Sequence, residues 1–198
     1  MSQSLSVYTV DFSGLCDAYG CRDANLREVI ENKNADQLVE DEGRLDEEKA
    51  EGGPELRQAL GELIEGKLVN FKAEYEHQYH FAIVMLVENF GAEVELLEGG
   101  GPSGGTERGL DTLLVKHGFP SDFSSSQLFE GGPPQPYPQF SHQAIGHLPP
   151  AEIKRILPGL KPVDILGADK TAASWMLRII SWMKRAAAEN KGLVFVWS

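Results

Sequence analysis

The stretch NKGLVFVWS, residues 190–198, decides the fold class of this chain. Alternate side chains of a β-strand point to opposite faces, so both faces of this strand are apolar. One face carries Leu193, Phe195 and Trp197, and the other carries Val194 and Val196. A strand that is apolar on both sides must be covered on both sides and needs neighbouring strands for its backbone groups. We therefore expect it to lie inside a sheet.

The stretch SLSVYTVDF, residues 4–12, has the same two-faced character. It is rich in β-branched and aromatic residues, and apolar groups occur at both alternating sets of positions, which is typical of a mostly buried strand. We predict that the two strands pair with each other at the centre of a small sheet. If so, removing the last residues of the chain unfolds the protein.

The segments between these strands show helical periodicity, with Asp23 and Asp169 placed as N-caps of two of the helices. This pattern predicts an α+β fold, in which a small central sheet contains the N- and C-terminal strands and several helices cover it. The length of 198 residues fits one domain. We expect residues 1–198 to form a single α+β domain, with an acidic segment at 36–55 and a flexible Gly-rich loop at 98–106.

Charge excludes some classes of partner. The net charge is -12, and the segment 36–55 holds nine acidic residues against two basic ones. A chain this acidic binds nucleic acid and anionic membranes poorly, so we expect neither as a partner. No apolar run approaches the roughly 20 residues of a membrane span, and the two cysteines are too few for a disulfide framework. A cytoplasmic location follows as the expectation.

The segment EYEHQYH, residues 74–80, is a candidate metal site. On a helix, Glu76 and His80 are four residues apart and His77 and His80 are three apart, so the three side chains can share one side. Imidazoles on one helix together with a carboxylate are common zinc ligands, although the spacing here is not H-E-x-x-H. The alternative is that these side chains are simply solvated at the start of a helix.

The proline-rich stretch 131–150 holds the second group of candidate residues. A cleft lined by Tyr137, Phe140, His142 and His147 would suit a small ligand, because loops on a rigid scaffold often carry function. The alternative is that the two aromatic residues pin the loop to the core.

Four short segments carry a resemblance to a known group of proteins. They are SLSVYTVDF (4–12), FG before a loop (90–91), IGHLPPAEI (145–153) and RAAAENKGLVFVWS (185–198). Together they resemble uncharacterised bacterial domain-of-unknown-function proteins of the YfbM-like kind. The resemblance spans most of the chain and implies a cytoplasmic, single-domain α+β protein. It brings no established catalytic residues with it.

The sequence is compatible with two functions. The first is a non-catalytic, cytoplasmic protein-interaction module that binds a partner through the acidic segment 36–55. The alternative is an enzyme or small-ligand-binding protein with a cleft near the loop 133–150. No cofactor is predicted, because the glycine-rich stretch EGGGPSGG (98–105) lacks the lysine and Ser/Thr of a phosphate loop. The G-x-S-x-G motif of a serine nucleophile is also absent from the sequence. The sequence leaves it open whether the protein is an enzyme.

Overall fold

The computed structural model describes residues 4–44, 52–102, 104–140, 145–162 and 168–197. The chain forms two compact units. Unit 1 consists of Met1–Phe12, Ala92–Gly132 and Gln143–Ser198. Unit 2 consists of Ser13–Gly91 and Pro133–His142.

The described residues form four strands and a series of helices. The strands are β1 (Ser4–Val10), β2 (Gly91–Glu98), β3 (Ile145–Leu148) and β4 (Gly192–Trp197). The α-helices are α1 (Phe12–Ala18), α2 (Ala24–Lys33), α3 (Ala35–Arg44), α4 (Leu56–Glu65), α5 (Glu76–Phe90), α6 (Gly104–Lys116), α7 (Ser125–Glu130), α8 (Pro150–Ile156) and α9 (Lys170–Ala188). Short 3-10 turns lie at Ala73–Tyr75 and Leu157–Gly159.

The strands form one sheet in the order β2-β1-β4-β3. β1 and β4 are antiparallel neighbours, in a register that runs from Leu5 opposite Trp197 to Val10 opposite Gly192. β3 pairs antiparallel with the other side of β4, with Ile145 opposite Val196. The first and last strands therefore meet at the centre of the sheet, and the predicted α+β fold with its helices is confirmed.

Both faces of β4 are buried, as its composition requires. Leu193 and Phe195 are fully buried and belong to the hydrophobic core of unit 1. Val194 and Val196 are also buried, on the opposite face of the strand. Trp197 is partly buried, and its Nε1 donates a hydrogen bond to the Phe129 carbonyl oxygen at 3.1 Å. A strand buried on both faces suits the Val- and Phe-rich run of this segment.

Helix α9 contributes eight buried residues to the hydrophobic core of unit 1. As predicted, Asp169 caps the helix by accepting a hydrogen bond from the Ala172 amide at 2.9 Å. Trp182 lies edge-on to Phe195 of β4, with ring centroids 5.9 Å apart. Trp182 and the other buried apolar residues of α9 are spaced three or four positions apart, so they lie on the side of the helix that faces the core.

In unit 2, helix α2 begins as its sequence indicates. Asp23 caps α2 by accepting hydrogen bonds from the amides of Asn25 and Leu26 at 2.9 and 3.2 Å. Helix α4 buries Leu56, Leu60, Leu63 and Ile64, which are the positions of its 3.6-residue apolar period. Helix α5 buries most of its residues between Tyr79 and Val87.

Two boundaries differ from the prediction. Strand β2 follows α5 directly where the sequence indicated a loop, because Gly91 is already extended at φ -132° and ψ 179°. Its alternating glutamates disfavour a strand by propensity, but β2 is an edge strand, where exposed charges are tolerated. Helix α6 begins at Gly104, so the predicted loop 98–106 is helical at its end. The buried residues Leu110 and Leu114 stabilise α6 through packing, which overrides the low helix propensity of its first glycines.

Candidate functional site

Unit 1 contains a pocket of about 430 Å³. Its walls come from the segment that leads into α7, from α7 itself, from the end of β3 and from α8. The volume falls within the usual range for small-molecule sites, roughly 300–1,000 Å³. The polar residues that line it are Asp122, Ser124, Gln127, His147, Glu152 and Arg155.

His147 enters this pocket from β3, where it pairs with Val194 of β4. The preceding residue, Gly146, allows β3 to lie directly against α7. A Cβ atom at position 146 would stand 2.1 Å from the Leu128 carbonyl oxygen, so no larger residue fits there. The His147 ring packs on Phe12, with centroids 5.8 Å apart. Strand pairing therefore fixes the backbone of His147, and the Phe12 ring restricts the position of its imidazole.

The tautomer of His147 follows from its hydrogen bond. Nδ1 lies 2.8 Å from the Gly132 carbonyl oxygen, which can only accept, so Nδ1 carries the proton. Burial lowers the pKa of His147 below its ordinary value, and the bond to Gly132 only partly offsets that effect. The ring is therefore neutral at pH 7, and Nε2 keeps a lone pair that can accept a hydrogen bond.

The other polar groups of the pocket supply donors and a charge pair. Arg155 donates two hydrogen bonds to one carboxylate oxygen of Glu152, at 2.9 and 2.6 Å. The Ser124 hydroxyl donates to the Ser126 hydroxyl at 3.4 Å. Within the described residues no hydrogen bond joins Ser124 to His147, so the pocket shows no serine activated by a base. This arrangement suits binding and contains no assembled nucleophile.

Of the predicted cleft residues, Tyr137 and Phe140 belong to unit 2, whereas His147 belongs to unit 1. Tyr137 is buried and donates a hydrogen bond to the Leu15 carbonyl oxygen at 2.6 Å, and burial raises the pKa of its phenol. The Phe140 ring contacts the rings of Phe71 and His80. His142 lies outside the described residues. The contacts of Tyr137 are those expected of an aromatic residue that pins its loop.

The three candidate metal ligands lie in the first two turns of α5. Glu76 and His80 are buried, whereas His77 is exposed, so the three side chains do not share one environment. Among the residues that the structure describes, no group of three or more His, Cys, Asp and Glu side chains is arranged to hold a metal ion. The metal hypothesis therefore rests on sequence spacing alone.

The first part of the acidic segment 36–55 is helical. Asp36 and Glu40 are exposed on α3, and Glu55 is exposed at the start of α4. Residues 45–51 of the segment lie outside the described part of the chain.

One polar cluster in unit 2 was not anticipated from the sequence. Glu62 is buried on α4, where its Oε2 accepts hydrogen bonds from the Tyr79 hydroxyl at 2.5 Å and from the Asn70 amide at 3.1 Å. The Asn70 side-chain amide donates to Oε1 at 2.5 Å. Burial and the Glu62 carboxylate raise the pKa of Tyr79. The signal in the sequence was an acidic residue among the buried positions of an amphipathic helix, which normally has partners.

Comparison with known proteins places the chain in a family. A family model described as a domain of unknown function, DUF7691, matches residues 1–198, and the chain belongs to this family. No curated protein matches the chain. No solved structure matches it either. Within the described residues, none of the helices combines the length and the apolar character that crossing a bilayer requires.

Proposed function

Because membership of DUF7691 assigns no activity, we propose from the geometry of the unit 1 pocket that this protein binds a small polar molecule. The main support for the proposal is the hydrogen bonding of His147, which lines a pocket of ligand size. Its Nδ1 donates to a backbone carbonyl oxygen, which leaves Nε2 as a hydrogen-bond acceptor of defined orientation. Pre-orientation of this kind lowers the entropy lost on binding.

The ligand class follows from the groups around the pocket. A neutral imidazole nitrogen accepts a hydrogen bond, so the ligand presents an N–H or O–H donor to His147. Gln127 and Ser124 add an amide and a hydroxyl at the rim, and apolar contact comes from Phe123 and Leu128. A compact molecule with a hydroxyl or amine on a partly apolar body satisfies these groups.

The test compares the wild type with His147→Asn in a ligand-observed NMR screen of small hydroxyl- and amine-bearing metabolites. Asparagine can place its amide where Nδ1–H stands, so it keeps the donor to Gly132 and removes the Nε2 acceptor. We expect hits whose binding weakens at least about tenfold in the variant, because a directed hydrogen bond in a desolvated site is lost.

The control variant is His77→Asn, which changes an exposed histidine of unit 2. The proposal would be contradicted if every hit bound the wild type, His147→Asn and His77→Asn equally. It would also be contradicted if the screen gave no hits.

A second candidate function is the protein-interaction module. The supporting observation lies on α3, where Val39 is 69% exposed between the exposed residues Asp36 and Glu40. An apolar side chain flanked by acids suits a basic partner with an apolar contact. A pull-down at low and high salt with Asp36→Asn/Glu40→Gln tests it, with the exposed pair Glu74→Gln/Glu93→Gln as the charge-matched control. A partner retained equally by all the proteins speaks against this surface.

We further propose that the protein is bacterial, YfbM-like and cytoplasmic, which is what the resemblance of its short segments implies, and that residues 1–198 behave as one domain. Helix α5 ends at Phe90 and β2 begins at Gly91, so no linker separates the two units at that point. Calorimetry tests the single domain: one two-state transition is expected, and two separated transitions would refute it. Fractionation of the native host tests the location.

A further inference from the structure

Unit 2 contains a second pocket, of about 310 Å³, which is lined by three basic side chains. Arg22 comes from the loop before α2, Arg27 from α2, and Lys67 from the segment after α4. We propose that this pocket binds the anionic oxygen atoms of a small phosphate- or carboxylate-bearing ligand.

Arg27 is pre-positioned for this role. Its Nε donates to the Glu31 carboxylate at 2.6 Å, and its Nη2 donates to the Arg57 carbonyl oxygen at 3.2 Å. Among the described residues no hydrogen bond uses Nη1 of Arg27, and Arg27 lines the pocket. Two fixed nitrogens hold the guanidinium plane, so the third is available to an anion at little cost in side-chain entropy.

The space for this guanidinium is provided by Gly61 of α4. A Cβ atom at position 61 would stand 2.6 Å from Nη1 of Arg27 and 3.0 Å from its Cζ. Any larger residue would therefore displace the guanidinium from the helix surface. The glycine lies in the middle of a helix, where it disfavours the helix relative to alanine. It lets the Arg27 guanidinium lie against the backbone of α4.

The backbone conformation of Arg22 is the second observation that supports an anion site. Its φ is +57°, a left-handed conformation that is uncommon for a residue with a Cβ atom. The conformation is held because the Arg22 amide donates to the Ile64 carbonyl oxygen at 2.9 Å and the Gly20 amide donates to that of Leu63 at 3.0 Å. The backbone is thus fastened to the end of α4 at a position that glycine would satisfy more easily. A strained residue with a long basic side chain at a pocket points to a functional role for that side chain.

The acidic residues at the pocket restrict which anionic ligands fit it. Asp23 and Glu65 also line it. Oδ1 of Asp23 accepts hydrogen bonds from two amides at the start of α2, so these amides are not available to an anion and the basic side chains are its donors. Glu65 is exposed and repels an anion placed next to it. A ligand that carries a hydroxyl or amine beside its anionic group satisfies Glu65 together with the three basic residues.

The test is a titration of the full-length protein with inorganic phosphate and, separately, with acetate, followed by ¹H–¹⁵N NMR. Chloride keeps the ionic strength constant, so general screening does not change. We expect saturable shifts at the amides of Arg22, Ala24 and Lys67 with at least one of the two anions. The anion that binds more tightly identifies phosphate or carboxylate as the preferred group.

Two charge-matched variants locate the site. Lys67→Gln removes a basic side chain of the pocket, and we expect about tenfold weaker binding, since one charge-assisted hydrogen bond is lost. Lys72→Gln removes the same charge from an exposed position of unit 2 that does not line the pocket, and binding should not change. Arg22→Gly should weaken binding while raising the midpoint of thermal unfolding, because it removes both the side chain and the strain.

Three results would overturn the proposal. They are the absence of saturable shifts with both anions, an equal loss of affinity in Lys67→Gln and Lys72→Gln, and unchanged affinity in Arg22→Gly. The dispersion of the ¹H–¹⁵N spectrum of each variant reports whether the variant is folded. None of these measurements depends on the ligand proposed for the unit 1 pocket.

Discussion

Replacing Phe195 with alanine tests how far β4 supports unit 1. Phe195 is fully buried and lies between Val7 of β1 and Gly146 of β3 in the sheet. Its ring makes edge-on contacts with Phe129 at 5.2 Å and with Trp182 at 5.9 Å between centroids. Removing the ring therefore leaves a cavity bounded by two strands and by two aromatic side chains.

The expected cost follows from that environment. Truncation of a buried phenylalanine to alanine costs about 3–5 kcal/mol, and more when the surroundings cannot collapse. The two neighbouring rings are large and stiff, and each edge-on pair contributes roughly 0.5–1.5 kcal/mol within that total. We therefore expect the free energy of unfolding to fall by about 4 kcal/mol. For a chain of this length, that corresponds to a drop in Tm of roughly 8–16 °C.

The assay is urea denaturation followed by far-UV circular dichroism, together with thermal melting. The matched control is Leu177→Ala on α9, where the side chain is 46% exposed, and its cost should stay below about 1 kcal/mol. If Phe195→Ala destabilised the protein no more than Leu177→Ala, then β4 would not be the central element of the sheet, and the reasoning from NKGLVFVWS would fail.

Three further predictions follow from single groups. Arg22→Gly should raise the free energy of unfolding by about 1 kcal/mol by relieving a left-handed backbone, as measured by urea denaturation; a loss of stability would show that the conformation is not strained. Tyr79→Phe should lower stability by about 1–3 kcal/mol, because the buried Glu62 carboxylate loses its hydroxyl donor, and a neutral result in the same assay would mean that another donor replaces it. The lowered pKa of His147 means that, as the pH falls below the ordinary value of 6.5, the unfolded chain takes up a proton that the folded protein does not, so stability should fall until the folded pKa is reached. His147→Asn should remove that part of the pH dependence in denaturation series at several pH values, and an unchanged profile would rule out this contribution.

The neighbours of the candidate site residues could not be predicted from the sequence. His147 was named because it follows a proline-rich loop, but its expected neighbour Tyr137 packs in unit 2 on Leu15 and Tyr19. The residues that do line the His147 pocket come from the segment around α7 and from α8, and nothing in their local pattern marks them. Glu62 stands out in the sequence as an acid among the buried positions of an amphipathic helix, but that pattern does not show which donors surround it.

Elements with local causes could be predicted from short stretches of sequence. An N-cap such as Asp23 or Asp169 needs only amides two or three residues away, and a strand that is apolar on both faces, such as Leu193–Trp197, has to lie inside a sheet. Tertiary structure alone decided that the glutamate-rich segment Gly91–Glu98 becomes an edge strand, where Glu95 accepts hydrogen bonds from Arg178 and Trp182. It also decided which side chains meet in each pocket. Such contacts join residues far apart in the chain, and their free energy depends on packing and desolvation that no short window of sequence contains.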